Sequence, residues 1–377
     1  MDHLNTFYTA YSDYKDNTIS GRYIHLEHIE PLLDSYKDIF QISILGESVE
    51  QRPIYSITLG SGSKRILMWS QMHGNESTTT KSVFDVLKYI KDNKDFREYV
   101  FQNFTLCILP MVNPDGAHAY TRVNSKMVDL NRDAQDRSQP ESIILREVFN
   151  SFKPDFCFNL HDQRTIFSAG EAALPATVSF LTPAEDKECS ITQQRKRSME
   201  IISVMNQFLQ QHIPGQVGRY DDGYNINCVG DTFQSAQIPT ILFESGHYQN
   251  DYQREQTRKY IASSLVCAIT YIGEHTIGGD QYRSYFEIPE NDKLFYDVLL
   301  RNFPILEDSK VEHLDIAILF KETLRNGKLE FIPNVERIEK DLTFFGHKEF
   351  DMNQLGYPAV VKNEINETFL TKLLRKI

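Results

Sequence analysis

A chain of 377 residues with a formal net charge of -12 is long enough for one large domain and a smaller one. The acidic balance argues against nucleic acid as a partner, because phosphate binding wants a clustered basic surface, and 41% hydrophobic with 24% charged residues is the make-up of an ordinary soluble globular protein. The cysteines Cys107, Cys157, Cys189, Cys228 and Cys267 fall at irregular spacings, the Asp2-His3-Leu4-Asn5 start has no signal-like character, and the apolar stretch 261–272 is too short to span a bilayer, so the expected setting is cytoplasmic and free of membrane.

In chain order, helical patterning covers residues 6–14 and 25–36, and strand-like runs at 40–45 and 53–59 read as a hairpin across Gly46-Glu47-Ser48. The apolar run 65–70 leads into His73-Gly74-Asn75-Glu76, and 77–92 is an amphipathic helix with Val83, Val86, Leu87 and Ile90 on one face. A strand at 104–112 precedes Asn113-Pro114-Asp115-Gly116, and a loop follows that carries Arg122 and Val128-Asp129-Leu130-Asn131-Arg132-Asp133. Then come a helix at 141–151, a strand at 155–160 leading into His161, a strand at 178–181 and a helix at 191–211. A strand at 240–243 leads into Glu244-Ser245-Gly246, and a helix spans 252–272. The alternation implies an α/β fold with a mixed, largely parallel central sheet covered by helices on both faces. After Gly278-Gly279-Asp280 the texture changes: 291–301 is helical in pattern, 315–320, 328–332 and 334–345 contain strand-like pieces, and Asn326-Gly327 signals a hairpin. The expected division is a catalytic domain over 1–278 and a small α+β appendage of unassigned role over 281–377.

The chemistry gathers where strands end. His73 and Glu76 are two possible zinc ligands at a strand-to-helix passage, and a catalytic zinc takes three protein ligands with one position left for water. His161, after another apolar run, is the best candidate for the third. A carboxylate that is not a ligand must move the water's proton, and Glu244 is the choice for that general base. Arg122 suits the charge that develops on a carbonyl oxygen, and Arg132 suits a bidentate grip on a carboxylate. Read one at a time these residues have plain alternatives: Arg122 as a solvated charge, Asn131 and Arg132 as turn residues paired with Asp129 or Asp133, Glu244 as a helix cap. Their joint occurrence at strand ends favours a common site, because open α/β sheets gather ligands there.

In order and spacing these clusters resemble the zinc carboxypeptidases of the carboxypeptidase A type, over roughly residues 20–272. The resemblance implies one zinc per chain held by His73, Glu76 and His161, an oxyanion-stabilising Arg122, Asn131 and Arg132 on the substrate's terminal carboxylate, and Glu244 as general base. It also implies a mobile substrate-binding tyrosine, for which Tyr220, Tyr224 and Tyr248 compete, with Tyr224 preferred. The implied activity is hydrolysis of the C-terminal bond of a peptide. Two other readings stand beside it: a zinc amidohydrolase of the aspartoacylase and succinylglutamate desuccinylase type acting on N-acyl amino acids, and a pseudoenzyme serving as a recognition module. Asp231, if it faces the side-chain pocket, predicts a preference for basic C-terminal residues. The sequence carries no indication of oligomeric state.

Overall fold

In the computed structural model, which describes residues 2–377, the chain divides into two units, one built from residues up to 163 with 176–291 and one from 164–175 with 292–377. The first unit runs past the boundary expected at 278 because Tyr285 and Ile288 are buried in its core.

The helices are α1 (Asp2–Thr9), α2 (Tyr11–Tyr14), α3 (Leu26–Tyr36), α4 (Thr78–Asp92), α5 (Lys94–Asn103), α6 (Pro114–Ala119), α7 (Pro140–Phe152), α8 (Gln193–Leu209), α9 (Val229–Ser235), α10 (Glu255–Glu274) and α11 (Glu367–Leu374). The strands up to residue 292 are β1 (Gln41–Glu47), β2 (Pro53–Leu59), β3 (Lys64–Ser70), β4 (Phe104–Leu109), β5 (Phe156–Asp162), β6 (Ser168–Ala169), β7 (Val178–Leu181), β8 (Val217–Arg219), β9 (Thr240–Ser245) and β10 (Asn291–Asp292). Eight of them form one sheet in the order β1-β2-β4-β3-β5-β9-β7-β8. Its centre, β4-β3-β5-β9, is parallel, and β1, β2 and β7 add antiparallel pairings.

Side chains alternate across this sheet with the two-residue period of a strand, and each face has its own core. Ile66, Met68, Phe156, Phe158, Ile241 and Phe243 pack with Val83 and Leu87 of α4 and Leu265 and Ile269 of α10. The intervening Leu67, Trp69 and Cys157 pack with Leu145 and Phe149 of α7 and Phe233 of α9. Trp69 meets Phe233 edge-on with centroids 5.2 Å apart, and removing such side chains from water contributes about 1.5–3 kcal/mol each. Helices on both faces explain why the central strands read as near-continuous apolar runs.

The alternation has a functional consequence at the carboxyl ends of the strands. His161 continues the Cys157-Asn159 side of β5, and the parallel register sets it directly beside Glu244 of β9. Four helices escaped the sequence reading, α5, α6, α9 and α11. The hairpin turn lies later than expected: Gly46 and Glu47 stay in β1 across a bulge, and the chain reverses between Ser48 and Arg52.

The second unit holds β11 (Phe295–Glu307), β12 (Lys310–Arg325), β13 (Lys328–Glu339) and β14 (Phe345–Asp351) in the order β13-β12-β11-β14, with β15 (Val360–Val361) also on β11. Asn326 and Gly327, both at positive φ (51° and 71°), make the tight β12–β13 turn that their sequence announces. The helix expected over 291–301 is instead β10 and the start of β11. Its Val298 and Leu300 serve one core and Leu299 another, and a strand buried on both faces mimics a helical stripe. Among the described residues no helix is long and apolar enough to cross a membrane.

Candidate metal centre

β3 delivers the chain through Gln71 and Met72 to a tight turn in which the Glu76 amide donates to the His73 carbonyl at 3.0 Å. This turn passes so close to α6 that a Cβ on Gly74 would fall 1.9 Å from the Gly116 carbonyl carbon, so the glycine is required by contact. Asn113 locks the approach: its amide donates to Gln71 O, its Nδ2 to Met72 O at 3.2 Å, and its Oδ1 caps α6 by accepting from Gly116 N at 2.8 Å. The Asn-Pro-Asp-Gly motif is thus the buttress of the His-x-x-Glu turn.

His73, Glu76 and His161 converge, all buried, with one ligand atom from each within 4.8 Å of the others. His73 Nδ1 lies 2.8 Å from Glu76 Oε1, and His161 Nδ1 lies 2.8 Å from Glu76 Oε2 and 3.1 Å from His73 Nδ1. Two imidazole nitrogens and a carboxylate turned toward one point are the donor set of a catalytic zinc site, and they fit that ion. Burial alone opposes the Glu76 charge, yet the two imidazoles hold its carboxyl well below the usual carboxylate range.

Outer partners set the orientation of these groups. His73 Nε2 faces Asp129 Oδ1 at 3.0 Å, the carboxylate–histidine arrangement that fixes a ligand's ring and raises its basicity. Sequence reasoning treated Asp129 only as a possible partner of the neighbouring arginine, although its place in the Asp129-Leu130-Asn131-Arg132 run was visible. Burial opposes the Asp129 charge too, but His73 and Arg122 draw its pKa down. Asp162, next to His161, accepts from Thr78 N at 3.0 Å and Thr79 N at 3.4 Å and so caps α4 immediately beyond Glu76. It also accepts from Ser245 Oγ at 2.5 Å, which ties β9 to the same point.

Arg122 reaches this centre from its loop, with Nη1 3.2 Å from Glu76 Oε1 and Nε 3.1 Å from Asp129 Oδ2. Glu244 Oε2 is buried without a hydrogen-bond partner. Burial, reinforced by the Glu76 and Asp162 charges, pushes the Glu244 carboxyl well above the ordinary range, the condition of a group ready to hold a proton.

Asn131 and Arg132 sit on a short 3-10 turn that packs on the residues leading into α9. Of the three tyrosines, Tyr220 is the one whose phenol feels the centre: burial and then the Glu244 and Glu76 charges raise its pKa. The preferred Tyr224 is half-buried, and Tyr248 belongs to the packing of the first core, 5.9 Å from the Tyr260 ring. Asp231 lies on α9 with Oδ1 accepting from Asn225 N at 3.1 Å, and burial pushes its carboxyl up to about 6.

A parallel-centred sheet with a buried His-Glu-His group at its carboxyl edge defines an α/β protein with a candidate metal site. Residues 25–215 match the zinc carboxypeptidases, and the chain belongs to that family. Carboxypeptidase 2 of Trichophyton rubrum is 27% identical over 115 residues, 30% of this chain and 21% of that protein. Gamma-D-glutamyl-L-diamino acid endopeptidase 1 of Lysinibacillus sphaericus is 31% identical over 109 residues, 25% of this chain and 28% of that protein. These matches span less than a third of the relatives' own length. The crystal structure of a metallo-carboxypeptidase from Burkholderia cenocepacia superimposes with a TM-score of 0.53 at 19% identity, covering 66% of this chain and 69% of the other, a likeness of fold.

Proposed function

We propose that this protein is a zinc metallocarboxypeptidase that removes the C-terminal residue of peptides. The observation that carries the reading is the convergence of His73, Glu76 and His161 beside the buried, partnerless Glu244 oxygen. A single zinc in that group would supply a water of lowered pKa and a polarised scissile carbonyl.

The chain's own residues perform the remaining work. Glu244 accepts the water's proton at its free Oε2 and passes it to the departing amide nitrogen. Its raised proton affinity favours the first of these transfers. Arg122 turns its fixed cation toward the carbonyl oxygen as negative charge develops there, an interaction stronger in the transition state than in the ground state. Asn131 and Arg132 bind the terminal carboxylate, and a tyrosine, Tyr220 or Tyr224, covers the bound end. Tyr220 has the better support because its phenol is coupled electrostatically to Glu244. If the Asp231 carboxylate faces the side-chain pocket, basic C-terminal residues are preferred. The unpaired thiols of all five cysteines support a reducing, cytoplasmic setting.

The test is mass spectrometry of zinc-loaded protein with a mixed set of peptides and N-acyl amino acids. Loss of single C-terminal residues is expected, with Glu244→Gln lowering kcat by about 10²–10⁴ while zinc is retained. Cleavage of N-acyl amino acids alone would move the assignment to the acylases.

A further inference from the structure

Two arginines serve the site, and their surroundings differ. Arg122 is paired with Glu76 and Asp129, whereas Arg132 has no ion-pair partner among the described residues. What Arg132 has is a backbone oxygen and a sulfur: Nη1 lies 2.7 Å from Asn131 O and 3.1 Å from Cys228 Sγ. The next residue along holds the other member of the pair, Val229 N donating to Asn131 Oδ1 at 2.9 Å.

The segment carrying Cys228 is clamped to the loop carrying Arg132. Ala134 N donates to Asn227 O at 3.3 Å, and Gln135 Nε2 donates to Ile226 O at 3.2 Å and to Thr232 Oγ1 at 2.8 Å. Within the segment, Cys228 N returns to Asn225 O at 2.8 Å and Asn225 N is held by Asp231 Oδ1. Segment 225–232 is therefore a bracket built around residues 131–135, with the sulfur at the guanidinium and the amide at the carboxamide.

We propose that Cys228 and Val229 are positioning residues for the Asn131–Arg132 pair, the amide fixing Asn131 and the uncharged sulfur aiming Arg132 without neutralising the cation that a terminal carboxylate must meet. The inference rests on the reading of Arg132 as the carboxylate-binding arginine. A thiol suits this place for a physical reason. It is a weak acceptor, enough to favour one rotamer of a long side chain but too weak to compete with a charge-assisted, bidentate carboxylate contact. Burial pushes the Cys228 thiol up to about 11, with Arg132 opposing, so the sulfur carries no charge at neutral pH. An aspartate in its place would give Arg132 a permanent ion pair, which an incoming substrate carboxylate would have to displace.

The experiment measures binding rather than turnover. Zinc-loaded Glu244→Gln protein is titrated calorimetrically with acetyl-Ala-Ala-Phe and acetyl-Ala-Ala-Arg, each as free acid and as C-terminal amide. Cys228→Asp is expected to weaken free-acid binding up to about fivefold, the cost of displacing an exposed ion pair, and to leave the amides unchanged. Cys228→Ala is expected to weaken the free acids about two- to fivefold through loss of one weak hydrogen bond, with Cys228→Ser retaining them. Arg132→Ala removes the acid-over-amide preference, and adding Cys228→Asp to it has no further effect. Equal free-acid binding by wild type, Cys228→Asp and Cys228→Ala, with Arg132→Ala still impaired, overturns the positioning role alone. If Arg132→Ala keeps the acid preference, the reading of Arg132 fails and the positioning role falls with it. Zinc content and thermal midpoint of each variant exclude loss of folding as the cause.

Discussion

The proposed metal side and the proposed substrate side of this site are built by different means. On the metal side, His73, Glu76 and His161 are buried and stand on or just beyond the ends of central strands, where sheet register and the α4 N-terminus leave little freedom. On the substrate side, Arg132 is exposed and Arg122 is 47% exposed, and both stand on loop segments held by side-chain hydrogen bonds. The scaffold thus fixes the atoms that must meet within a bond length of an ion, and leaves those that meet a variable substrate on adjustable supports.

The largest effect expected from breaking that contrast is at the rigid side. His161→Ala removes one of the three proposed ligands and leaves Glu76 with one fewer imidazole, so zinc should be lost on dialysis and peptide hydrolysis with it. Full activity with one bound zinc would show that His161 is not a ligand. A smaller effect is predicted one step out: Asp129→Asn should weaken zinc about 10–100-fold, as measured by competition with a chelator, because the His73 ring loses its charged partner.

The smallest effect concerns the support under the metal side. Glu255 of α10 takes Lys81 of α4, and Lys15 as well. Burial opposes its charge, but Lys81 and Lys15 bring its carboxyl down from 4.5 to about 2. A carboxylate whose pKa falls on folding stabilises the native state fully above its unfolded value, and that contribution is lost as pH drops from about 4.5 toward 2. Urea unfolding of wild type should therefore lose more stability across this window than Glu255→Gln does. Parallel losses would remove the pair from the account.

The metal side was legible in the sequence because its candidate ligands sit where apolar runs stop. His73 and Glu76 follow β3, His161 and Glu244 stand at the ends of β5 and β9, and the strand pattern together with the family resemblance placed them at one edge. The substrate side was less legible. Neither Cys228 nor Val229 has any periodicity that links it to Arg132, since the bracket is formed by a loop and by α9, a seven-residue helix too short to print a stripe. The choice among Tyr220, Tyr224 and Tyr248 was open for the same reason: a loop residue's direction is set by contacts, not by spacing. In the second unit, β11 was read as a helix over its first residues because a strand packed on both sides gives no alternation.

X-ray absorption at the zinc edge tests the central claim most directly. Protein loaded with one equivalent of zinc should show two imidazole nitrogens and carboxylate or water oxygens at about 2.0–2.2 Å, with one imidazole fewer in undialysed His161→Ala. A sulfur neighbour at about 2.3 Å, or a zinc environment unchanged by His161→Ala, would contradict the account.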